Sequence, residues 1–522
     1  MTSIRAARAF SLRNGLRALL AIGVLAAPIA AEADEAVTKE RIDSAVAALD
    51  GIAETILERT DVPGLAVAVV HDGTMIYSNG FGVLEVGKAA PVRADTVFQI
   101  ASLSKSLAAS VVAHQVGEGA VAWNTPVQTL MPDFALADPW VSEHVTVGDL
   151  FAHRSGLPDH AGDDLELLGY GRQAILDRLR LLPLNAFRDS YAYTNFGLTA
   201  AAEAVARNAG TEWESLSDTV LYAPLGMGAT SSRFADFAAI EDRAVGHTLI
   251  DGAFAPVTVR MPDPQSPAGG VSSTVEDFAR WMIMVLDEGR YEGEDIVKNG
   301  ALLPALTPQS VSDPTTSAAS LPSFYGFGVG VGTRGPGVVA LSHSGAFVLG
   351  AATTYVMLPS EKLGIVVFTN ALPIGAPEAV SAEFIDLVIN GEVQRDWLSL
   401  FRGAIGPLTD PVGEYVGKTP PSDAAPAGPL ADYTGVFESA YFGKASVALD
   451  GETLTLTVGE DEQHFALSPW SGDIFTFPVL NENMPHGSIS AVTFDRDGAA
   501  STALTIEFLD ENGLGRFDRA EP

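Results

Sequence analysis

The sequence predicts an α/β (α+β) fold: one sheet assembled from both ends of a large domain, flanked by helices, with a mainly helical lobe inserted between the ends and a small all-β domain after it. Three observations carry this expectation. Two β-patterned runs stand early and about four stand late in the first 390 residues, with helical pattern broken by Pro and Gly clusters from about 100 to 320. A Pro/Ala-rich stretch, TPPSDAAPAGPL (419–430), then reads as a linker. Beyond it the runs alternate with the strand period and carry hairpin signals. At 522 residues the chain is too long for one small module, and two or three domains are expected.

Taken in order, the first residues look like an export signal. Arg5, Arg8, Arg13 and Arg17 precede a 14-residue apolar run from Ala18 to Ala31, short of the ~20 residues that span a bilayer. Ala31-Glu32-Ala33 supplies a small-residue cleavage site. Residues 1–33 are therefore read as a signal peptide, with an uncleaved anchor as the alternative, and the protein as exported, periplasmic or secreted, with no membrane span after cleavage. An amphipathic pattern from Thr38 to Ile52 predicts a first helix. GLAVAVV (64–70) and TMIYSNGFG (74–82) read as strands joined at His71-Asp72-Gly73. The late runs lie at 326–332, 338–345, 351–358 and 363–369, and a helical pattern near 376–391 closes the domain. The expected division is 38–391 for this domain, 392–428 for the linker and 429–520 for the β-rich tail. Asp450-Gly451 and Asp497-Gly498 mark hairpins there, in a small meander or barrel.

Composition excludes several functions. With 31 basic against 65 acidic side chains the formal charge is −34. No basic stripe exists to replace counterions on a nucleic acid, and an anionic membrane surface would repel the chain. The absence of cysteine removes disulfides, thiol nucleophiles, Fe–S clusters and thiolate zinc sites. The histidines lack metal-ligand spacing, and GFGVGVG lacks the helix that a phosphate-cradling loop requires, so neither metal nor cofactor is expected.

Chemistry enters at Ser102. Ser102-Leu103-Ser104-Lys105 is an S-x-x-K motif before a helix-like run, and i and i+3 share a helix face. A serine hydroxyl needs a base, and a desolvated lysine can supply one. Alone, the motif fits an N-capping serine beside a surface lysine equally well. Tyr193-Thr194-Asn195 gives a Y-x-N in a loop before a helix; a tyrosine next to a lysine can move protons, and an asparagine amide can orient that lysine. A partly buried tyrosine with a capping asparagine fits too. His343-Ser344-Gly345 ends a late strand, where glycine lets a substrate approach the backbone. His153, in AHRSGLP, is read as structural, since no pattern there requires a histidine base.

In combination these motifs resemble the serine β-lactamase-like and penicillin-binding-protein-like hydrolases, in the branch of class C β-lactamases, D-alanyl-D-alanine carboxypeptidases and esterases. VPGLAVAVV (62–70), DLFAHRSGLP (149–158), YAPLGM (222–227) and PAGGVSST (267–274) extend the likeness over about 40–390, and the tail is similar to a lipocalin-like β-domain. The resemblance implies an antiparallel sheet flanked by helices with a mainly helical lobe, and a site at their junction. It implies Ser102 as the acylated nucleophile, Lys105 and Tyr193 sharing the proton transfers, and Asn195 binding Lys105 and the acyl side chain. The oxyanion would be held by the backbone N–H groups of Ser102 and Ala346. His343, with Ser344 and Gly345, stands in the substrate-binding strand where many relatives carry a cationic lysine. With a reference pKa of about 6.5 it would be mostly neutral at neutral pH and charge as the pH falls.

The function expected is an exported serine hydrolase acting through an acyl-enzyme on a small ester, D-amino-acid peptide or β-lactam. A catalytically silent ligand- or wall-binding relative is the alternative, and a ligand-binding role of the β-tail is a third.

Overall fold

Gly64–His71 (β1) and Thr74–Gly82 (β2) form the expected hairpin. Its turn places Asp72 at φ 46° and Gly73 at φ 75°, the left-handed pair of a tight two-residue turn. Along β1, Leu65, Val67 and Val69 belong to one apolar layer and Ala66, Ala68 and Val70 to another. Both faces are covered, which is why this run is apolar throughout rather than alternating. The computed structural model describes residues 37–257, 260–335, 337–498 and 500–520. The signal-peptide reading of 1–33 lies outside the described residues.

Six later strands complete the sheet: Ser310–Asp313 (β3), Ser323–Tyr325 (β4), Gly330–Arg334 (β5), Val338–Phe347 (β6), Ala351–Leu358 (β7) and Leu363–Thr369 (β8). All neighbours are antiparallel, in the order β2-β1-β8-β7-β6-β5-β4-β3. Six late strands stand where about four were expected. The extra pair, β3 and β4, are three or four residues long, mostly polar, and lie at the sheet edge, so they carry no alternation to read.

The first helix, Lys39–Thr60 (α1), runs about two turns past its expected end because Ile52, Ala53 and Ile56 continue the buried face, while Gly51 points to open space. The lobe supplies Ser104–Gly117 (α2), Asp163–Leu167 (α3) and Asn195–Asn208 (α4), and Val275–Leu286 (α5) packs on the sheet's lobe side. On the other face α1 packs with Ala376–Asn390 (α6) and Trp397–Ile405 (α7). Among the described residues no helix is long and apolar enough to cross a membrane.

The 392–428 stretch contains α7, whose Trp397 indole donates to Asp386 Oδ2 at 2.6 Å. Further on, Ile489 N–H donates to Val412 O at 3.0 Å, and the Tyr415 ring lies 4.6 Å from that of Trp470. The expected linker 392–428 is thus packed against both domains ahead of its Pro/Ala-rich part, through Trp397, Phe401, Val412 and Tyr415.

The tail is a closed eight-stranded barrel: Gly435–Ser439 (β9), Gly443–Asp450 (β10), Thr453–Val458 (β11), Gln463–Ser471 (β12), Ile474–Pro478 (β13), Ile489–Asp497 (β14), Ala500–Ile506 (β15) and Arg516–Arg519 (β16). β9 and β16 close it through Phe437↔Arg519 and Glu438↔Asp518. Phe437, Leu456, Phe475, Phe494, Leu504 and Phe517 fill its interior, as expected for eight strands. The barrel's apolar core continues into that of the lobe, and Tyr170 Oη donates to Phe442 O at 2.9 Å across the junction.

Candidate active site

Ser102 sits on a short 3-10 turn, Ala101–Leu103, that runs directly into α2. Ala101 is held at φ 47°, a left-handed conformation costly for a residue with a Cβ. The turn is braced from outside: Ile100 N–H donates to Val271 O at 3.0 Å, Val271 N–H to Ser104 Oγ at 3.0 Å, and Ser104 Oγ to Ala101 O at 2.6 Å. One helical turn on, Lys105 is fully buried. Its Nζ lies 3.1 Å from Ser102 Oγ, 2.7 Å from Asn195 Oδ1 and 2.8 Å from Ala268 O.

Those three partners differ in kind. Asn195 Oδ1 and Ala268 O only accept, whereas a serine hydroxyl donates or accepts. A neutral amine therefore spends both its hydrogens on the two carbonyl oxygens and turns its lone pair to the Ser102 hydroxyl. Burial drives the Lys105 pKa well below its ordinary value; Asp163 and Glu166 oppose this and Arg260 adds to it. The Asn195 orientation is fixed from behind, since Nδ2 donates to Asp163 Oδ2 at 2.8 Å, which also contacts His160 Nδ1 at 2.7 Å. One of the two Nδ2 hydrogens is thus engaged within the protein.

Tyr193 stands over the same amine, with Lys105 Nζ 4.5 Å from its ring centroid. Its hydroxyl is buried without a well-formed hydrogen bond, and Ser102 is the neighbour that relieves it. Burial raises its pKa above the usual phenol value, with Asp163 and Asp159 adding, so the group is a protonated phenol at neutral pH. The backbone around it is pinned: Tyr193 N–H donates to Asp159 Oδ1 at 2.6 Å, and Tyr193 O accepts from His160 N–H at 2.7 Å. His153 grips the flanking residues, accepting Ala192 N–H at its carbonyl (2.9 Å) and Thr194 N–H at Nδ1 (3.1 Å). Its ring is buried 4.5 Å from that of Tyr193, and burial, followed by Lys105, holds its pKa well below the normal value. His153 positions Tyr193 rather than acting as a base.

The third motif lies on β6. Its register pairs Ser342 with Gly330, the first residue of β5, so Ser344, Gly345 and Ala346 run past the end of that neighbour, and Gly345 lies against the Ser102 turn. Gly345 is needed for that approach: a Cβ there would lie 2.5 Å from Ile100 O and Thr353 Oγ1 and 2.9 Å from Ser102 N. Gly345 thus brings β6, with Ala346 next in sequence, against the turn that carries Ser102.

The side chains of this motif diverge. His343 faces the lobe, where its Nε2 accepts from Tyr325 Oη at 2.8 Å and its Nδ1 donates to Ser344 O at 2.7 Å. Both ring nitrogens are engaged. Burial and then Lys105 lower its pKa to about 3, so it does not charge just below neutrality as its reference value suggested. Ser344 points to the other face, where its Oγ donates to Thr354 Oγ1 at 3.1 Å and neighbours Glu378 of α6. The structure therefore brings Ser102, Lys105, Tyr193, Asn195, Gly345 and Ala346 together, leaves the His343 ring as neutral packing behind them, and turns the Ser344 hydroxyl away.

Sequence reading missed Asp163, Asp159, Tyr325 and Glu378. They lie 18 to 34 residues from the motif residues they touch, and nothing local marks them; only His153 stood in a recognisable segment. Among the described residues no three acidic or histidine side chains are grouped to hold a metal ion.

Comparison with known proteins places the chain in a family. The family model described as Beta-lactamase matches residues 49–389, and one described as a Domain of unknown function (DUF3471) matches 419–515. An unguisins hydrolase of Aspergillus violaceofuscus is 25% identical over 464 residues, 80% of this chain and 80% of that protein. Esterase EstB of Burkholderia gladioli is 26% identical over 326 residues, 56% of this chain and 78% of its own length. The octameric penicillin-binding protein homologue of Pyrococcus abyssi superposes with a TM-score of 0.59 at 20% identity, over 88% of this chain and 98% of that one, a likeness of fold.

Proposed function

This chain belongs to the beta-lactamase family, and from that premise we propose that it is a serine hydrolase that cleaves small esters or amides through an acyl-enzyme on Ser102. The observation that carries the reading is the Lys105 amine, held by two obligate acceptors so that its third position meets the Ser102 hydroxyl. As Ser102 Oγ bonds to the substrate carbonyl carbon, its proton passes to Lys105 Nζ. The developing oxyanion lies between the N–H groups of Ser102 and Ala346. The protonated Tyr193 hydroxyl delivers its proton to the departing oxygen or nitrogen and is replenished from the Lys105 ammonium. Water then attacks the acyl carbon, losing its proton along the same path in reverse, and Ser102 leaves with its proton restored.

Substrate class follows from charge. With His343 neutral and both its nitrogens engaged, the position where many relatives carry a cationic lysine offers a carboxylate no charge, which favours uncharged esters and amides. The similarity to proteins named esterase and hydrolase supports this. The basic and apolar run before Ala33 supports export to the periplasm or medium.

The test is labelling with a fluorophosphonate followed by peptide mass analysis. Wild type should be modified at Ser102, and Ser102→Ala should lose both label and turnover. In a rate panel, a p-nitrophenyl ester should outpace a D-Ala-D-Ala peptide and a chromogenic cephalosporin. An unlabelled wild-type protein would favour the catalytically silent alternative, and label retained in Ser102→Ala would place the nucleophile elsewhere.

A further inference from the structure

The loop between β13 and β14 leaves the barrel and reaches the end of β6. Glu482 on it is buried, its side chain only 7% exposed. One carboxylate oxygen accepts the Val348 N–H at 2.7 Å and the other the Leu349 N–H at 3.3 Å. Val348 and Leu349 follow Phe347, the last residue of β6, and Ala346 comes one residue before that. Glu482 also pairs with Arg260 Nη1 at 3.5 Å, and the Arg260 guanidinium lies over the Phe347 ring, 4.4 Å from its centroid. Arg260 in turn contacts Glu166 of α3, which also takes the Gln265 amide.

The next loop residue reaches the lobe: Asn483 Nδ2 donates to Asp164 Oδ1 at 2.9 Å, while Glu460 N–H donates to Leu168 O at 2.7 Å. Asp164 lies in α3 and Leu168 caps its end, and the same helix supplies Asp163, the partner fixing Asn195. One barrel face therefore holds both the strand end beyond Ala346 and the helix behind Asn195. The loop is braced for this task by paired backbone bonds between Asn481 and Met484.

We propose that the C-terminal barrel is a working part of the active site, with Glu482 as a positioning residue that fixes the end of β6 and so aims the Ala346 N–H at the reacting oxygen. This rests on the hydrolase reading above. Two amides are satisfied by one carboxylate whose charge Arg260 balances, so removing Glu482 leaves buried N–H groups without acceptors and frees Arg260 from Phe347. The strand end then relaxes, and a shift of about 1 Å in a catalytic donor is enough to lower a rate about a hundredfold. Substrate contacts made elsewhere in the cleft are untouched, so kcat should suffer more than KM.

The experiment uses the full chain, a p-nitrophenyl ester and fluorophosphonate labelling. Glu482→Ala should lower kcat by about ten- to a hundredfold with KM within about threefold. Glu482→Gln keeps a carbonyl acceptor but not the charge, and should recover part of the loss; it carries the test if the alanine variant does not fold. Tyr170→Phe removes a barrel–lobe hydrogen bond made to Phe442 O rather than to the end of β6, and should leave kcat within about twofold even if Tm falls. Unchanged kcat in both Glu482 variants, with wild type labelled at Ser102, overturns the barrel's role alone. An equal loss of kcat in Tyr170→Phe reduces Glu482 to general docking and overturns it too. A wild type that is neither labelled nor active overturns both readings.

Discussion

Replacing Glu378 by glutamine should make the protein's stability respond differently to pH. Glu378 is the third residue of α6, 7% exposed, and neither carboxyl oxygen has a well-formed hydrogen bond among the described residues. Burial pushes its pKa from 4.5 up to about 7, with its own backbone N–H and Ser344 giving only partial relief. Because the folded value lies above the unfolded one, the native state holds a proton that the unfolded chain releases between these limits. Stability is therefore full below about pH 4.5 and falls as the pH rises to about 7. At about 1.36 kcal/mol per pH unit, the interval of about 2.5 amounts to about 3 kcal/mol. Glu378→Gln cannot titrate. Its unfolding free energy minus that of wild type, from urea curves at pH 4.5 to 8, should climb by about 3 kcal/mol towards pH 7 and then level off. All other titrations cancel in that difference. A difference that stays flat within about 1 kcal/mol would show that Glu378 is charged and solvated in the folded protein, and the burial argument would fail.

The legible parts of this chain are those whose physics is local. The runs 351–358 and 363–369 coincide with β7 and β8 because each is short, apolar and covered on both faces. The three motifs were readable because S-x-x-K needs only one helical turn, and Y-x-N and H-x-G only neighbouring residues. What they build was less so. The Lys105 amine works through Ala268 O, a backbone group 163 residues away that no side-chain motif announces. His343 illustrates the limit most clearly: its residue type suggested titration near neutrality, yet burial beside Lys105 and a bond from Tyr325 keep it neutral. The expected linker 392–428 also reached back over residues that pack, since Trp397 and Tyr415 precede the Pro/Ala-rich stretch 419–430 on which that reading rested. The sequence left a meander or a barrel open for the tail, because closure depends on the four-residue β16 returning to β9.

Lys105→Ala and Tyr193→Phe should each reduce kcat by about 10² to 10⁴, while the double variant loses much less than the product, as for groups sharing one proton path; steady-state kinetics on the ester decide, and multiplicative losses would argue for separate roles. Gly345→Ala should destabilise the fold by about 1–3 kcal/mol in urea unfolding, because the new Cβ must displace Ile100 O or Thr353 Oγ1, both 2.5 Å away. Normal stability and activity in that variant would remove the close approach of β6 to the Ser102 turn. The remaining prediction concerns the charge at 343. With a folded pKa of about 3, His343 stays neutral from there upward, while the unfolded chain protonates below about 6.5. Its neutral burial thus supports the fold above about pH 6.5, and that support is lost as the pH falls towards 3. Between pH 5.5 and 8.5 it offers substrates no charge, so a carboxylate-bearing ester and a neutral ester should give kcat/KM profiles of the same shape. His343→Lys should not repair this. The new amine would enter a site 2% exposed, within electrostatic reach of Lys105, and would leave Tyr325 Oη without its acceptor. Like charges in a buried site suppress each other's ionisation, and the stranded hydroxyl costs about 1–3 kcal/mol. Both esters should therefore slow together. A carboxylate-bearing ester that alone gained rate as wild type was acidified, or that alone gained about tenfold in His343→Lys, would show that position 343 meets the substrate after all, and the neutral-substrate reading would fall.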